Sequence, residues 1–287
     1  MNGAPDTTAA APEKGSSFGW ILRPVFGIGL AVIAILAAAD GKWYFVAFLG
    51  VGSIAAVREW HRIFLGKATG WLFSISALAI AGALVAQNLI AWHQPMQLNE
   101  RALPWVILGI GALLDVGLFR KRDALWHGFG PLYVGVPPLS LLVLREPDHG
   151  FLFVLAVFIA VWATDTGALV AGKLIGGPKL WPRMSPNKTW AGAFGGALSA
   201  IACIAVMFMI LGRNIALGAL FGLAMSAVAQ LGDLFESWIK RRVGRKNSGS
   251  LIPGHGGVLD RIDSILFVAP LVTFAVVGLG FNPLGGP

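Results

Sequence analysis

The sequence is short of charge. Of its 287 residues only 13% are Asp, Glu, Lys or Arg, against the roughly 25% of ordinary soluble domains. A water-soluble globule of this size needs far more polar surface, and a disordered chain cannot carry 56% hydrophobic residues. Both classes are excluded, which leaves a polytopic membrane protein. Cysteine is nearly absent as well: Cys203 stands alone in an apolar run, so there is no disulfide framework and no cysteine metal cluster. Period-2 alternation of the barrel type is missing, so the spans are helical. No fixed-period repeat is present, which disfavours an inverted-repeat transporter. The G-x-x-x-x-G-K-[ST] run of a Walker A loop is also lacking.

What the chain does have is apolar length. A spanning helix needs about 20 mostly apolar residues, and nine candidate runs lie at 24–39, 43–57, 71–91, 103–119, 128–144, 151–172, 190–211, 215–231 and 264–281. The expected fold is an all-α, polytopic transmembrane helical bundle of about nine spanning helices. The first two runs are short and read as tilted, interfacial or one hairpin. The 38 Gly and 11 Trp suit a bundle, because Gly packs membrane helices and Trp sits at bilayer interfaces.

The formal charge of +8 first speaks to orientation. Eighteen of the 22 basic residues lie at the N-terminus or in every second loop. They are Lys14 and Arg23; Arg58, Arg62 and Lys67; Arg120, Lys121 and Arg122; Lys173, Lys179, Arg183 and Lys188; and Lys240, Arg241, Arg242, Arg245, Lys246 and Arg261. Only Lys42, Arg101, Arg145 and Arg213 fall on the other side. The split places the N-terminus and these loops in the cytoplasm, with the C-terminus outside if the spans number nine. Residues 1–23 read as a disordered cytoplasmic tail, 24–150 as N-terminal transmembrane helices and 151–287 as a C-terminal catalytic transmembrane domain. Arg23 and Ala37-Ala38-Ala39 imitate a signal peptide, but with so many spans following, a signal anchor serves better.

The carboxylates are unevenly spread. After Asp148 only Asp165, Asp233, Glu236, Asp260 and Asp263 remain, all near span ends or in the two most basic loops. Ionisable groups at membrane depth are costly and mark function. Asp260 and Asp263, three apart, share one face if a helix begins near Val258. Two such carboxylates either cap that helix, offset by Arg261, or flank a divalent cation such as Mg²⁺. Asp233 and Glu236 repeat the spacing. Glu236 pairs with Lys240 as a plain i, i+4 ion pair. Asp233 has no basic residue within four positions, so a metal or a distant cation must balance it, and a metal is preferred. Asp165, beside Thr166 and Gly167, is either a functional group or a satisfied intramembrane Asp. Asp115 is expected to snorkel towards Arg120 and Lys121. His61, His93, His127 and His149 read as isolated interfacial or loop residues.

Two loops suit phosphate. In 173–189, Ser185-Pro186 reads as a helix start, with Ser as N-cap and Pro at the first helical position. Lys188 and Thr189 then fall in a first turn that attracts anions. In 240–263, a run of basic residues precedes Pro253-Gly254-His255-Gly256-Gly257. Glycine amides in such turns form anion-binding concavities, and His255 could donate to phosphate oxygens or transfer a proton. The alternative is a polybasic turn that meets anionic lipid head groups.

The run Ser237-x-x-Lys240-Arg241-x(4)-Lys246-Asn247-x-Gly249-x(3)-Pro253-Gly254-His255-Gly256-Gly257-x-x-Asp260-Arg261-Ile262-Asp263 closely resembles the signature of phosphatidate cytidylyltransferases (CDP-diacylglycerol synthases). Asp165-Thr166-Gly167-Ala168 and Ser185-Pro186-Asn187-Lys188-Thr189-Trp190 are similar to the two upstream motifs of that family. Asn247 stands where the family usually has Asp, Ala191 where Glu commonly follows, and Leu169 where an aromatic is usual. The resemblance covers about 160–265 by motif; the N-terminal half agrees in hydropathy alone.

The resemblance implies a nucleotidyltransferase of phospholipid biosynthesis: CTP plus phosphatidate gives CDP-diacylglycerol and pyrophosphate. It implies Mg²⁺ as cofactor, held by Asp233, Asp260 and Asp263. With the metal ligands, Lys240 and His255 are the expected catalytic residues. Asp165, Ser185, Lys188, Thr189, Arg241, Lys246, Gly254, Gly256, Gly257 and Arg261 are the expected substrate-binding residues. The expected partners are CTP, phosphatidate and membrane lipid, with no nucleic acid and with a homodimer suggested by resemblance. The expected location is the cell inner membrane, multi-pass, with the site on the cytoplasmic side. The rival readings are a transporter of an anionic solute, and a related CTP-dependent transferase acting on another lipid phosphate.

Overall fold

The computed structural model describes residues 19–65, 73–92, 98–118, 124–245, 248–249, 251 and 256–285. They form nine α-helices: α1 (Gly19–Asp40), α2 (Lys42–Leu65), α3 (Ser74–Trp92), α4 (Leu98–Leu118), α5 (Ala124–Arg145), α6 (Gly150–Leu174), α7 (Trp190–Ile210), α8 (Ile215–Arg242) and α9 (Leu259–Thr273). A π-helical turn, Phe274–Gly278, extends α9. Between α6 and α7 a two-stranded antiparallel hairpin pairs β1 (Lys179–Trp181) with β2 (Ser185–Thr189).

Among the described residues seven helices, α3 to α8 and α9 with its π-helical extension, are long and apolar enough to cross a membrane. Outward faces are apolar: Phe194, Leu198 and Ile210 of α7 are each at least 65% exposed. A bilayer makes that favourable and water does not. The first two helices are not among the seven. They meet at Gly41 and Lys42, both with left-handed φ, in a sharp hairpin. α2 carries Arg58, Glu59, His61 and Arg62 in its last turns, too polar for a lipid-crossing end. Helix starts also move: α5 begins at Ala124 and α9 at Leu259, before the expected 128 and 264. Residues 19–23, expected in the tail, belong to α1; residues 1–18 lie outside the described residues.

Glycines set the helix spacing where the site is built. On α6 and α7, an added Cβ at Gly195 would strike Ala171, and one at Gly196 would lie 2.7 Å from the Thr164 carbonyl oxygen. A Cβ at Gly167 would meet Ser199 and the Gly195 carbonyl. The neighbour that Gly167 admits is therefore a helix backbone, the small-residue contact typical of membrane bundles. α5 is the central helix, buried from His127 to Leu144 along most of its length. Its Phe129 and Tyr133 pack at tilted or edge-on angles against Trp60 of α2 and Phe235 of α8, giving the bundle an aromatic layer.

Two expectations about polar groups are overturned. Asp115 does not snorkel; it is fully buried and accepts a hydrogen bond from the Ser76 hydroxyl. His61 and His127 are not isolated either. Their Nδ1 atoms lie 2.7 Å apart, their rings stack, and His61 Nε2 is 2.7 Å from Ser76 Oγ. One proton arrangement satisfies the chain: His127 donates to His61, His61 to Ser76, and Ser76 to Asp115. Burial, and then His127, hold the His61 pKa down to about 3, so its imidazole is neutral. Four helix ends (α2 to α5) converge here, and polar groups taken out of water must find one another. His93, Arg120 and Lys121 lie outside the described residues; His149 precedes α6 with a left-handed φ.

Candidate functional site

The acids meet where α8 ends and α9 begins. Gly232 makes this possible: a Cβ there would lie 2.7 Å from the Asp263 carbonyl oxygen. With only hydrogen at that position the two helices close up, and Asp233 and Glu236 come beside Asp263. Asp233 stays within electrostatic reach of Asp165, which α6 delivers from the other side. The Glu236 side chain is 1% exposed and abuts Asp263. Its Oε1 is buried without a hydrogen-bond partner.

Lysines answer part of this charge. Lys240 Nζ donates to Glu236 Oε2 at 3.1 Å and to Asp260 Oδ1 at 2.8 Å. The i, i+4 pair expected from sequence is therefore present and extended across to α9. Lys188 Nζ lies 2.5 Å from Asp233 Oδ2, so a distant cation does balance Asp233. Asp260 also accepts from the backbone N–H of Ser248 and of Gly257. The amide of Gly257, expected to face phosphate, is spent on Asp260.

The phosphate-like segment before α7 is a strand, not a helix start. Ser185–Thr189 pairs with Lys179–Trp181, and Trp190 N–H bonds to the Pro178 carbonyl at 3.1 Å. The capping role passes four residues on, to Thr189, whose Oγ1 accepts from Gly192 N–H at 3.0 Å. Thr189 is buried. Lys188 thus leaves the hairpin sideways towards Asp233. Arg241 Nε reaches the Met184 carbonyl at 3.3 Å and ties the hairpin to α8. Between them lies a cleft of about 300 Å³ lined by Ser185, Pro186, Asn187, Ser237, Lys240 and Arg241. Arg242 turns away and lies over the Trp126 and Trp238 rings. Arg261 is exposed on α9 and within electrostatic range of Asp165. Gly256, with φ +86°, takes a turn that side chains avoid. Lys246, Asn247, Gly254 and His255 lie outside the described residues.

Sequence reading missed Glu59, Ser248 and Tyr133. Glu59 comes from α2, yet its Oε2 accepts from Leu259 N–H at 2.9 Å. Burial raises its pKa above the ordinary 4.5, opposed by that backbone bond. Tyr133 of α5 places a buried hydroxyl, without a hydrogen-bond partner, near Glu236 and Asp263. Its sequence context, Leu132-Tyr133-Val134, is that of any core aromatic. A lone acid in Arg58-Glu59-Trp60-His61 carries only one cue: its neighbours belong to an otherwise apolar helix.

The sequence model of the cytidylyltransferase family matches residues 21–278. The chain belongs to that family. Its relatives include a phosphatidate cytidylyltransferase of Brucella suis, 36% identical over 239 residues, covering 73% of this chain and 88% of the relative. One of Staphylococcus epidermidis is 41% identical over 206 residues, covering 71% and 78%. One of Staphylococcus aureus is 33% identical over 259 residues, covering 89% and 98%. A member of this family is a nucleotidyltransferase, and its helices make it a membrane protein.

The donor chemistry of this cytidylyltransferase site suits Mg²⁺. The ion prefers carboxylate and phosphate oxygens, and the buried, unpartnered Glu236 Oε1 against Asp263 needs a cation or a proton between the two groups. Among the described residues no three side chains already stand in ligand geometry. The acids are gathered, and Lys188 and Lys240 sit among them.

Proposed function

We propose that this chain condenses CTP with phosphatidate to give CDP-diacylglycerol and pyrophosphate, at the cytoplasmic face of the inner membrane. The observation that carries the reading is the juxtaposition at one end of a membrane-spanning bundle. Five carboxylates, from Asp165 to Asp263, are interleaved with Lys188 and Lys240, and Lys240 also lines a basic cleft. The names of the relatives supply the substrates.

In this reading a phosphate oxygen of phosphatidate attacks the α-phosphorus of CTP, and the bond to the bridging oxygen of the β-phosphate breaks. A phosphate monoester is already anionic, so no strong general base is needed. Positioning and charge stabilisation supply most of the rate. Asp233 and Asp263 would hold Mg²⁺, with Glu236 Oε1 beside them, and Asp260 would join once Lys240 is drawn to phosphate. When bound, Mg²⁺ neutralises the charge that develops on the leaving pyrophosphate. Lys240, Arg241 and Lys188 would take phosphate oxygens, and Ser185 a further one from the hairpin side. Lys246, Arg261 and His255, with Gly254 and Gly256, are proposed for the same anion. The acyl chains stay in the inner leaflet, alongside the apolar outer faces of α6 and α7.

The test uses protein purified in detergent, CTP labelled at the α-phosphate, and phosphatidate or an isoprenoid phosphate as acceptor. Label entering the phosphatidate lipid, with one pyrophosphate released per lipid, is expected. Label entering only the isoprenoid phosphate would overturn the choice of acceptor. Uptake of an anion into sealed vesicles without CTP consumption would favour a transporter.

A further inference from the structure

Glu59 stands outside every motif, yet it touches the centre of the longest one. The residue is 5% exposed, and its carboxylate accepts hydrogen bonds from Leu259 N–H at 2.9 Å and from the Ser248 hydroxyl at 3.4 Å. Leu259 opens α9, and the next residue is Asp260. Ser248 is gripped from both sides, by its hydroxyl to Glu59 and by its N–H to Asp260. The glycines flanking this contact have no room for a side chain. A Cβ at Gly249 would strike Glu59 Oε1, and one at Gly257 would lie 2.5 Å from Oε2.

The peg itself is held firmly. The neighbour Trp60 donates from Nε1 to the Trp126 carbonyl at 2.8 Å, and His61 lies in the buried network with His127 and Ser76. The end of α2 is therefore fixed to α3 and α5 independently of the loop it presses on.

We propose that Glu59 is a positioning residue of the transferase site: its carboxylate seats Ser248, Gly249 and Gly257 and the first turn of α9, and so aligns Asp260 and Lys240 with the bound phosphates. The inference rests on the reading under Proposed function. Gly249 and Gly257 are small because the Glu59 carboxylate occupies the space beside them. Its two hydrogen bonds, from Ser248 and Leu259, hold a residue that itself donates to Asp260 and the residue that precedes Asp260. A residue that orients metal- or phosphate-binding groups from behind is worth about 10- to 100-fold in affinity or rate.

The experiment measures transfer by the purified full-length protein in detergent as a function of CTP and of Mg²⁺, with melting recorded on the same samples. Wild type, E59A, E59Q, E59D, S76A and D263N are compared. E59A is expected to raise the half-saturating CTP or Mg²⁺ concentration roughly 10-fold. E59Q still accepts from Leu259 N–H and should return to within about 3-fold of wild type. E59D, one methylene shorter, should resemble E59A. S76A removes one link of the buried network, while Trp60 and His61 still hold the end of α2 to α5; it should lower the melting temperature and leave both half-saturation values alone. Unchanged half-saturation in E59A, with only the amount of active protein reduced, would overturn the proposal. If E59A does not fold, G249A decides. Its methyl meets Oε1, so it should impair saturation alone and recover when combined with E59D; a strictly additive pair would refute the contact. Survival of transfer in D263N would overturn the site reading and this proposal with it. Loss in D263N with no change in any Glu59 variant would overturn the proposal alone.

Discussion

Replacing Lys240 with Met tests the charge balance of the site. Lys240 bridges Glu236 at 3.1 Å and Asp260 at 2.8 Å, with the three side chains 12%, 1% and 13% exposed. Removing one partner of a pair so deeply buried strands the other and costs about 3–5 kcal/mol. At about 2–4 °C per kcal/mol, the melting midpoint should fall on the order of 10 °C. Heating the detergent-solubilised protein and following the monodisperse fraction measures this. K240M/E236Q should regain a large part of the loss, because Glu236 is the more buried of the two carboxylates and Asp260 keeps its two backbone donors. Transfer should stay absent in both, since the cation that meets phosphate is gone. Wild-type melting in K240M would refute the ion-pair reasoning, and recovered transfer in K240M/E236Q would refute the phosphate role.

Gly232→Ala places a methyl 2.7 Å from the Asp263 carbonyl and against Phe267. It should cost about 1–3 kcal/mol by overpacking and lower transfer more than melting, because it parts Asp233 from Asp263. Melting and initial rates on one preparation show this. Glu59 holds its proton more tightly folded than unfolded, its pKa being raised above 4.5 by burial. Its ionisation therefore opposes folding, and its contribution to stability falls as pH rises from near 4.5 through the raised folded value. E59Q should flatten that part of the stability–pH curve, read from melting between pH 4.5 and neutrality.

The bundle was legible because its helices are continuous apolar runs, and a spanning helix satisfies its own backbone. The acids of the candidate site stood out because they are few and lie in otherwise apolar helices. What failed shares one physical cause: the deciding partner sits on another element. Lys188 reaches Asp233 across the hairpin, far outside a four-residue window. Ser185-Pro186 has the chemistry of a helix start, but pairing with Lys179–Trp181 holds it extended, and Pro is tolerated because the ribbon has two edges. Thr189 caps α7 instead. Asp115, His61 and Glu59 each look unremarkable on their own helices and acquire partners only when the helices pack.

The most direct measurement is the Mg²⁺ dependence of cytidylyl transfer to phosphatidate by wild type and Asp263→Asn. Asp263 is within electrostatic reach of Asp233, Glu236 and Asp165, three other acids of the proposed site. Wild type should show transfer that saturates with Mg²⁺ and vanishes on chelation, and the variant should fold and show none at any Mg²⁺ concentration. Equal transfer by the two proteins, or transfer by wild type after complete chelation, would contradict a metal-dependent site built on these carboxylates.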